Sequence, residues 1–231
     1  MALRDEIIVV RDRALHSLNE GHDYFTYTKF TWRSLSQEVM RDGLKFTWQN
    51  LATGSKVTET DIESYAQRYV ARELACATLQ QFVSIFECFL SDVCRAWLLA
   101  FPVGIARRQL NGREILSLPD KPAIIDALIE KELRDVFYDR PSNWFGYLNN
   151  LVSLGAPTQK DVESFSEIKA TRDILVHGQG IANAYYVDKS GKAARVRLGE
   201  PINVPEPYHQ QSWTLICKLV RDIGDGMAAK A

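Results

Sequence analysis

The strongest constraint on the fold is a long amphipathic stretch between residues 61 and 101. Its apolar residues recur at intervals of three and four, as on one face of an α-helix. These residues are Ile62, Tyr65, Tyr69, Leu79, Phe82, Phe86, Phe89, Leu90, Val93 and Trp97. Thr58 or Thr60 can cap the start of this helix, and Pro102 ends it. A straight helix of this length would measure about 60 Å, so we expect a kink or a break near residues 73–77.

Most of the remaining chain also favours helices. The predicted helices cover residues 2–18, 24–40, 122–138, 142–154, a segment from 158 through 175, and 208–224. After residue 178, short runs at 185–187 and 194–198 flank a turn at 188–191, a pattern typical of a β-hairpin. The sequence therefore predicts a mainly all-α helical bundle with one small β-hairpin insertion. Residues 1–57 would form an N-terminal helical extension of a domain at 58–231, and we expect the two to be continuous.

The composition excludes several classes of protein. In 231 residues there are 28 basic and 29 acidic side chains, and 46% of the residues are hydrophobic. These values are ordinary for a globular protein, so neither a disordered chain nor a wholly electrostatic nucleic-acid coat is expected. The four cysteines form no C-x-x-C pair, and no zinc-ligand spacing is present. We therefore expect buried free cysteines and no structural metal.

The distribution of apolar residues favours a cytoplasmic protein with no membrane partner. Charges at Arg4, Asp5 and Glu6 lie where a signal peptide needs an apolar stretch. The longest apolar run, residues 96–106, is interrupted by Pro102 and is too short to span a bilayer.

The segment from residue 167 to 185 carries the side chains best suited to chemistry. Arg172 is a permanent cation with a planar fork that suits phosphate, and His177 can exchange a proton near neutral pH. Asp173 precedes His177 by four residues, so on a helix it can orient the imidazole and raise its pKa. Gly178 and Gly180 favour a helix that ends at His177.

Arginine and histidine are sufficient for metal-independent cleavage of RNA. A base removes the proton from a 2′-hydroxyl, which attacks the adjacent phosphate, and a cation stabilises the charge that develops on the phosphoryl oxygens. His177 would be the general acid/base and Arg172 the cation, with no cofactor required. One protomer lacks a second proton-transfer group for the leaving 5′-oxygen. A homodimer that juxtaposes two copies of the motif would supply it.

The run from Arg172 to His177 resembles the R-x-x-x-x-H signature of HEPN domains. Gly178, Gly180, Asn183 and Tyr185 are similar to a pattern that follows the signature in some prokaryotic members. The aromatic and acidic stretch at 82–90 resembles an earlier helix of these domains. The resemblance spans roughly residues 73–224, and Asp173 stands where the family more often has Asn.

The resemblance implies an α-helical bundle that dimerises through the motif-bearing helices. It also implies a metal-independent endoribonuclease, of the kind found in toxin–antitoxin and phage-defence systems, with an antitoxin or regulatory protein as a further partner. Some family members have lost catalysis and bind nucleotides or proteins instead. A non-catalytic binding module, or a structural subunit whose apolar faces dock another chain, therefore remains an alternative.

Six further residues are candidate RNA contacts: Glu87, Lys169, Asn183, Tyr185, Lys189 and Lys192. Between residues 169 and 197 there are six basic and two acidic side chains, a local surplus of four positive charges. Basic residues interleaved with tyrosines suit a single RNA strand, although lysines also protect the edge of a hairpin. Glu87 interrupts an apolar stripe, so it is either a partner for a buried cation or a solvent-exposed edge residue. Asn183 and Tyr185 are equally well explained by local packing.

Overall fold

The computed structural model describes residues 2–105 and 107–231, which form a bundle of helices. The α-helices of these two ranges are α1 (Leu3–Asp42), α2 (Glu59–Arg68), α3 (Leu74–Ala100), α4 (Gly112–Leu116), α5 (Lys121–Tyr138), α6 (Pro141–Val152), α7 (Gln159–His177), α8 (Ala184–Ser190) and α9 (Glu206–Ala228). A π-helical turn, Tyr69–Glu73, joins α2 to α3, and 3₁₀ turns occupy Pro102–Ile105 and Gly191–Ala193. The predicted all-α class is confirmed.

Helix α3 forms the centre of the bundle and packs against α1, α5, α7 and α9. Its apolar stripe is buried along its whole length, and Phe82, Phe86 and Leu90 have no exposed surface. Side chains from α1, α5, α6, α7 and α9 join this stripe in one continuous core. The N-terminal helix therefore shares its core with the rest of the chain.

Helix α1 is one helix of 40 residues where the sequence pattern predicts two shorter ones. The apolar spacing continues across the gap between them, with Leu18, Gly21 and Phe25 all buried against the bundle. A β-carbon at Gly21 would lie 3.0 Å from the ring of Phe82, so the glycine allows α1 and α3 to approach closely. The helix ends at Gly43, whose φ of 78° is a conformation that glycine adopts readily.

The irregularity expected in the long central helix is present as the π-helical turn Tyr69–Glu73. It lies slightly before the predicted interval and overlaps it at Glu73. The cap predicted at Thr58 is also confirmed, because its hydroxyl accepts a hydrogen bond from the Asp61 N–H while the Asp61 carboxylate accepts one from the Thr58 N–H. The π turn changes the direction in which side chains project from α2 relative to α3.

The β-hairpin predicted after residue 178 is wrong. Residues 184–190 form α8, and the only β pairing in the two described ranges consists of the isolated bridges Gln49–Lys56 and Ile181–Pro201. Asn183 caps α8 by accepting a hydrogen bond from the Tyr186 N–H. Tyr186 itself is completely buried. The cap and this buried anchor outweigh the preference of the tyrosine-rich segment for a strand.

Large apolar side chains are exposed in two areas that matter for function. One surrounds the end of α7 and includes Val176, Ile181 and Tyr185. The other is the loop between α1 and α2, with Phe46, Trp48 and Leu51. Among the helices of ranges 2–105 and 107–231, none combines the length and the apolar character that crossing a membrane requires.

Candidate functional site

Helix α7 carries the predicted motif and ends where the sequence predicts. Thr158 caps its start in a capping box with Asp161, and the last helical residue is His177. The N–H groups of Gly178 and Gly180 both donate to the Ile174 carbonyl, at 2.8 and 3.1 Å, which closes the final turn. Gly180 has a φ of 74°, so the chain turns away from the helix directly after the motif.

Four charged side chains form a partly buried cluster where α3 meets α7, and we call it the four-charge cluster. Its members are Glu87, Lys169, Arg172 and Asp173. Lys169 Nζ lies 3.0 Å from Asp173 Oδ2 and 3.5 Å from Glu87 Oε1. Arg172 pairs with Glu87 and places Nη1 3.2 Å from Asp173 Oδ1. Two cations and two carboxylates leave the cluster without net charge.

The cluster is shielded from solvent on one side by α6. Lys169 Nζ lies 5.5 Å above the ring of Trp144, and the exposed fraction of the Lys169, Arg172 and Asp173 side chains is only 13% to 16%. Arg172 Nε is buried without a hydrogen-bond partner. Glu87 is thus a partner of buried cations, the first of the two roles that its sequence position suggests.

Asp173 is occupied by partners other than His177. Besides Lys169 and Arg172, its carboxylate accepts a hydrogen bond of 3.3 Å from the Tyr185 hydroxyl. Burial raises the pKa of Tyr185, and the negative charge of Asp173 raises it further. The tyrosine therefore stays protonated and can donate this bond. Within the protomer, Asp173 positions Tyr185 and Arg172 rather than the imidazole.

His177 lies in solvent at the end of α7. Its side chain is exposed and has no hydrogen-bond partner in the part of the chain that the structure describes. Val176 on α7 and Ile181 and Tyr185 in the segment that follows it are each between 45% and 47% exposed. The imidazole is therefore free to meet a ligand or a second protein chain.

The four remaining predicted RNA contacts lie on or next to α8. Tyr185 and Lys189 are one turn apart, and Lys189 Nζ is 5.4 Å from the centre of the Tyr185 ring. Asn183 is the cap of α8, so its amide serves local structure. Lys192 is exposed in the following 3₁₀ turn. The structure brings Tyr185 to the four-charge cluster through Asp173, whereas Lys189 and Lys192 have no ion pair or hydrogen bond with its members in the described chain.

A second, more deeply buried polar group was missed by the sequence analysis. Glu167 accepts hydrogen bonds from the Tyr186 and Tyr208 hydroxyls, both at 2.8 Å, and from Arg195 Nε at 2.9 Å. The Arg195 guanidinium lies 3.5 Å from the centre of the Tyr208 ring. Burial raises the pKa of both tyrosines, and the Glu167 charge acts in the same direction. The group ties α8 and α9 to α7, and its only signal in the sequence is a carboxylate among the apolar residues of α7.

These ion pairs neutralise part of the surplus of four positive charges counted between residues 169 and 197. Lys169 and Arg172 are compensated by Glu87, and Arg195 by Glu167, two carboxylates outside the counted stretch. In the described chain, Lys189, Lys192 and Arg197 have no carboxylate within ion-pair distance. The basic surface beside α7 is therefore smaller than the sequence count indicates.

Comparison with known protein families, curated proteins and solved structures found no match to this chain. In residues 2–105 and 107–231, no group of three or more His, Cys, Asp and Glu side chains is arranged to hold a metal ion. The geometry of the four-charge cluster and of His177 is therefore the basis for a functional proposal.

Proposed function

We propose that this protein is a metal-independent endoribonuclease of the HEPN type that acts as a homodimer. The observation that carries the proposal is the exposed imidazole of His177 at the end of α7, five residues after Arg172, whose terminal nitrogens face Glu87 and Asp173. A proton-transfer group and a cation are the two components that cleavage by a 2′-hydroxyl needs.

In this mechanism His177 removes the proton from the 2′-hydroxyl, and Arg172 binds the phosphoryl oxygens. Arg172 is engaged by Glu87 and Asp173 in the protomer, so the substrate phosphate replaces Glu87 as its partner. Asp173 then acts as a positioning residue that holds Arg172 and Tyr185. The His177 of a second copy protonates the leaving 5′-oxygen.

The apolar residues around His177 support the homodimer. Val176 and Ile181 are about half exposed beside the imidazole, and burying such side chains between two copies is favourable. The same contact would bring two α7 helices together and place both motifs at one groove. Lys189 and Lys192 would then extend this groove along the RNA backbone.

A non-catalytic binding module is the second candidate, and one observation favours it. The four-charge cluster has no net charge, because Glu87 and Asp173 already compensate Lys169 and Arg172. A cluster of this kind stabilises the α3–α7 contact without any substrate. In that case nucleotides or a partner protein bind at the exposed end of α7 and no bond is broken.

The cellular setting that we propose rests on the resemblance alone. The protein would act as a toxin or phage-defence effector that an antitoxin or regulatory protein inhibits. Its place in the cytoplasm is a separate proposal from the sequence. Loss of growth on expression, restored by Arg172→Ala, is the result that this setting requires.

The activity is tested by incubating a labelled, structured RNA with purified protein in excess EDTA. We expect cleavage by the wild type and a loss of at least about 100-fold in His177→Ala, since general acid–base catalysis contributes that much. His16→Ala is the matched control, because His16 is an exposed histidine on α1. Equal cleavage by wild type and His177→Ala, or none by either, contradicts the assignment.

A further inference from the structure

A second candidate site is an aromatic pocket of about 480 Å³ between α1, the α1–α2 loop and α2. Trp32 of α1, Trp48 of the α1–α2 loop and Tyr65 of α2 line it, together with Arg68 and Tyr69. Its volume falls in the range of small-ligand sites, roughly 300–1,000 Å³. None of these five residues belongs to the HEPN resemblance, which begins near residue 73.

The pocket is assembled by contacts among its own side chains. The Tyr65 and Tyr69 rings stack with centroids 5.9 Å apart, and Trp32 meets Tyr69 edge-on at 5.1 Å. The Arg68 guanidinium lies 4.8 Å from the centre of the Tyr69 ring and donates a 2.9 Å hydrogen bond to the Tyr69 hydroxyl. These contacts hold the aromatic faces in place before any ligand arrives.

The loop that carries Trp48 is also held in place. The Asn50 side chain donates a 3.3 Å hydrogen bond to the Tyr65 hydroxyl and accepts bonds from the backbone N–H groups of Ala52 and Thr53. Trp48 accepts a 2.8 Å backbone hydrogen bond from Val57. Trp48 lines the same pocket as the two tyrosines, and it is still 42% exposed. A flat ligand can therefore stack on its indole ring.

The charge of the lining decides between ligand classes. Arg68 is the one charged residue in the described lining, and no carboxylate accompanies it. A quaternary ammonium ligand needs free aromatic faces and is repelled by a cation, and here Arg68 already covers the two tyrosines. A planar ring that carries a phosphate fits instead, since the ring stacks on the exposed Trp48 side chain and the phosphate meets Arg68.

We propose that this aromatic pocket binds an unstacked nucleobase of a single-stranded nucleic acid, with the adjacent phosphate on Arg68. The π-helical turn connects the pocket to the motif. Arg72 follows Arg68 by four residues, and a β-carbon at Gly180 would lie 3.6 Å from Arg72 Nη2. Two exposed arginines thus lead from the aromatic pocket to the loop directly after His177. A strand anchored by one base would follow them toward the imidazole.

The probe for the test is a fluorescein-labelled octamer of deoxyadenosine. It has no 2′-hydroxyl, so it cannot be cleaved by the proposed mechanism, and its binding is independent of the proposed ribonuclease activity. Its affinity is measured by fluorescence anisotropy for the wild type, Trp48→Ala and Arg68→Gln. Tyr24→Ala is the matched control, because Tyr24 is an aromatic residue on α1 that is 58% exposed and lies outside the pocket.

We expect Trp48→Ala to weaken binding about tenfold, the effect typical of losing one stacked base. Arg68→Gln should also weaken binding. The slope of log affinity against log salt concentration should fall by about one, the value of one lost phosphate contact. Tyr24→Ala should bind as the wild type does, and thermal melting of each variant shows that it is folded. Unchanged affinity in Trp48→Ala, or no saturable binding by the wild type, overturns the proposal. A proline-rich peptide that binds more tightly and displaces the octamer would also overturn the proposal, because the pocket would then be a peptide site.

Discussion

His209 is the most deeply buried titratable side chain in α9, with no exposed surface. Its Nε2 lies 2.7 Å from Thr78 Oγ1, its ring stacks 3.9 Å from Phe25, and its Nδ1 has no hydrogen-bond partner. Burial lowers its pKa to about 4, and the nearby His22 and Lys29 act in the same direction. The folded protein therefore holds this imidazole neutral.

This burial predicts a loss of stability in mild acid. The pKa of an unfolded histidine is about 6.5, so between pH 6.5 and 4 the unfolded state binds a proton that the native state does not. The contribution of the neutral His209 to the unfolding free energy is complete above about pH 6.5 and is lost as the pH falls toward 4. By pH 4 the loss should be about 3 kcal/mol of unfolding free energy, measured by urea denaturation.

The variant His209→Gln tests the assignment, because glutamine has no titrating proton in this range. We expect a weaker decline of stability between pH 6.5 and 4 than in the wild type. His16→Gln, which alters an exposed histidine, should decline like the wild type. A decline in His209→Gln as steep as that of the wild type would show that another group is responsible.

Single residues differ in how well their surroundings can be predicted from sequence. The position of His177 at a helix end follows from the glycines that come next. The break that Glu87 makes in an apolar stripe suggests either a buried partner or an exposed edge, and the structure shows the first. The partners of Asp173 and Glu167 could not be predicted. Arg195 lies 28 positions from Glu167, and their contact depends on the path of α8 and the turn after it.

Helix α8 is the element that separates the observed fold from the predicted one. Its capping bond runs from the Tyr186 N–H to Asn183 Oδ1 at 3.0 Å. Asn183→Ala removes this bond and should lower the unfolding free energy by about 1 kcal/mol, measured by urea denaturation. Asn150→Ala changes an exposed asparagine within α6 and should leave stability within about 0.5 kcal/mol. If both substitutions change the unfolding free energy equally, the Asn183 cap does not contribute to stability.

For most of the other helices, the spacing of apolar residues is sufficient to predict the element from the sequence. Helices α3, α5, α6, α7 and α9 follow their apolar stripes, because burial of one face in a common core decides their structure. The two helices predicted at 2–18 and 24–40 are joined in α1, where Gly21 permits close contact with Phe82. In α8 the tyrosines favour a strand by propensity, and the buried Tyr186 overrides that preference.

On the scale of the whole molecule, the proposed function depends on the exposed apolar surface at the end of α7, which includes Val176 and Ile181. We predict that it is buried in a homodimer with the mass of two chains, measured by light scattering after gel filtration. Ile181→Asp places a charge in this surface and should yield monomers that have lost RNA cleavage. Val103→Asp is the control, because Val103 is 84% exposed in the turn after α3. A wild-type monomer, or a dimer that survives Ile181→Asp, contradicts the proposed assembly.

The chemistry at His177 is tested most directly by the ends of the RNA products. Attack by a 2′-hydroxyl on the adjacent phosphate expels the 5′-oxygen, so each downstream fragment begins with a 5′-hydroxyl and each upstream fragment ends in a 2′,3′-cyclic phosphate. We expect fragments made by the wild type in EDTA to be labelled by a 5′-hydroxyl kinase without prior dephosphorylation, and His177→Ala to yield none. Fragments with 5′-phosphate ends, or 5′-hydroxyl fragments produced equally by His177→Ala, would contradict the proposed chemistry.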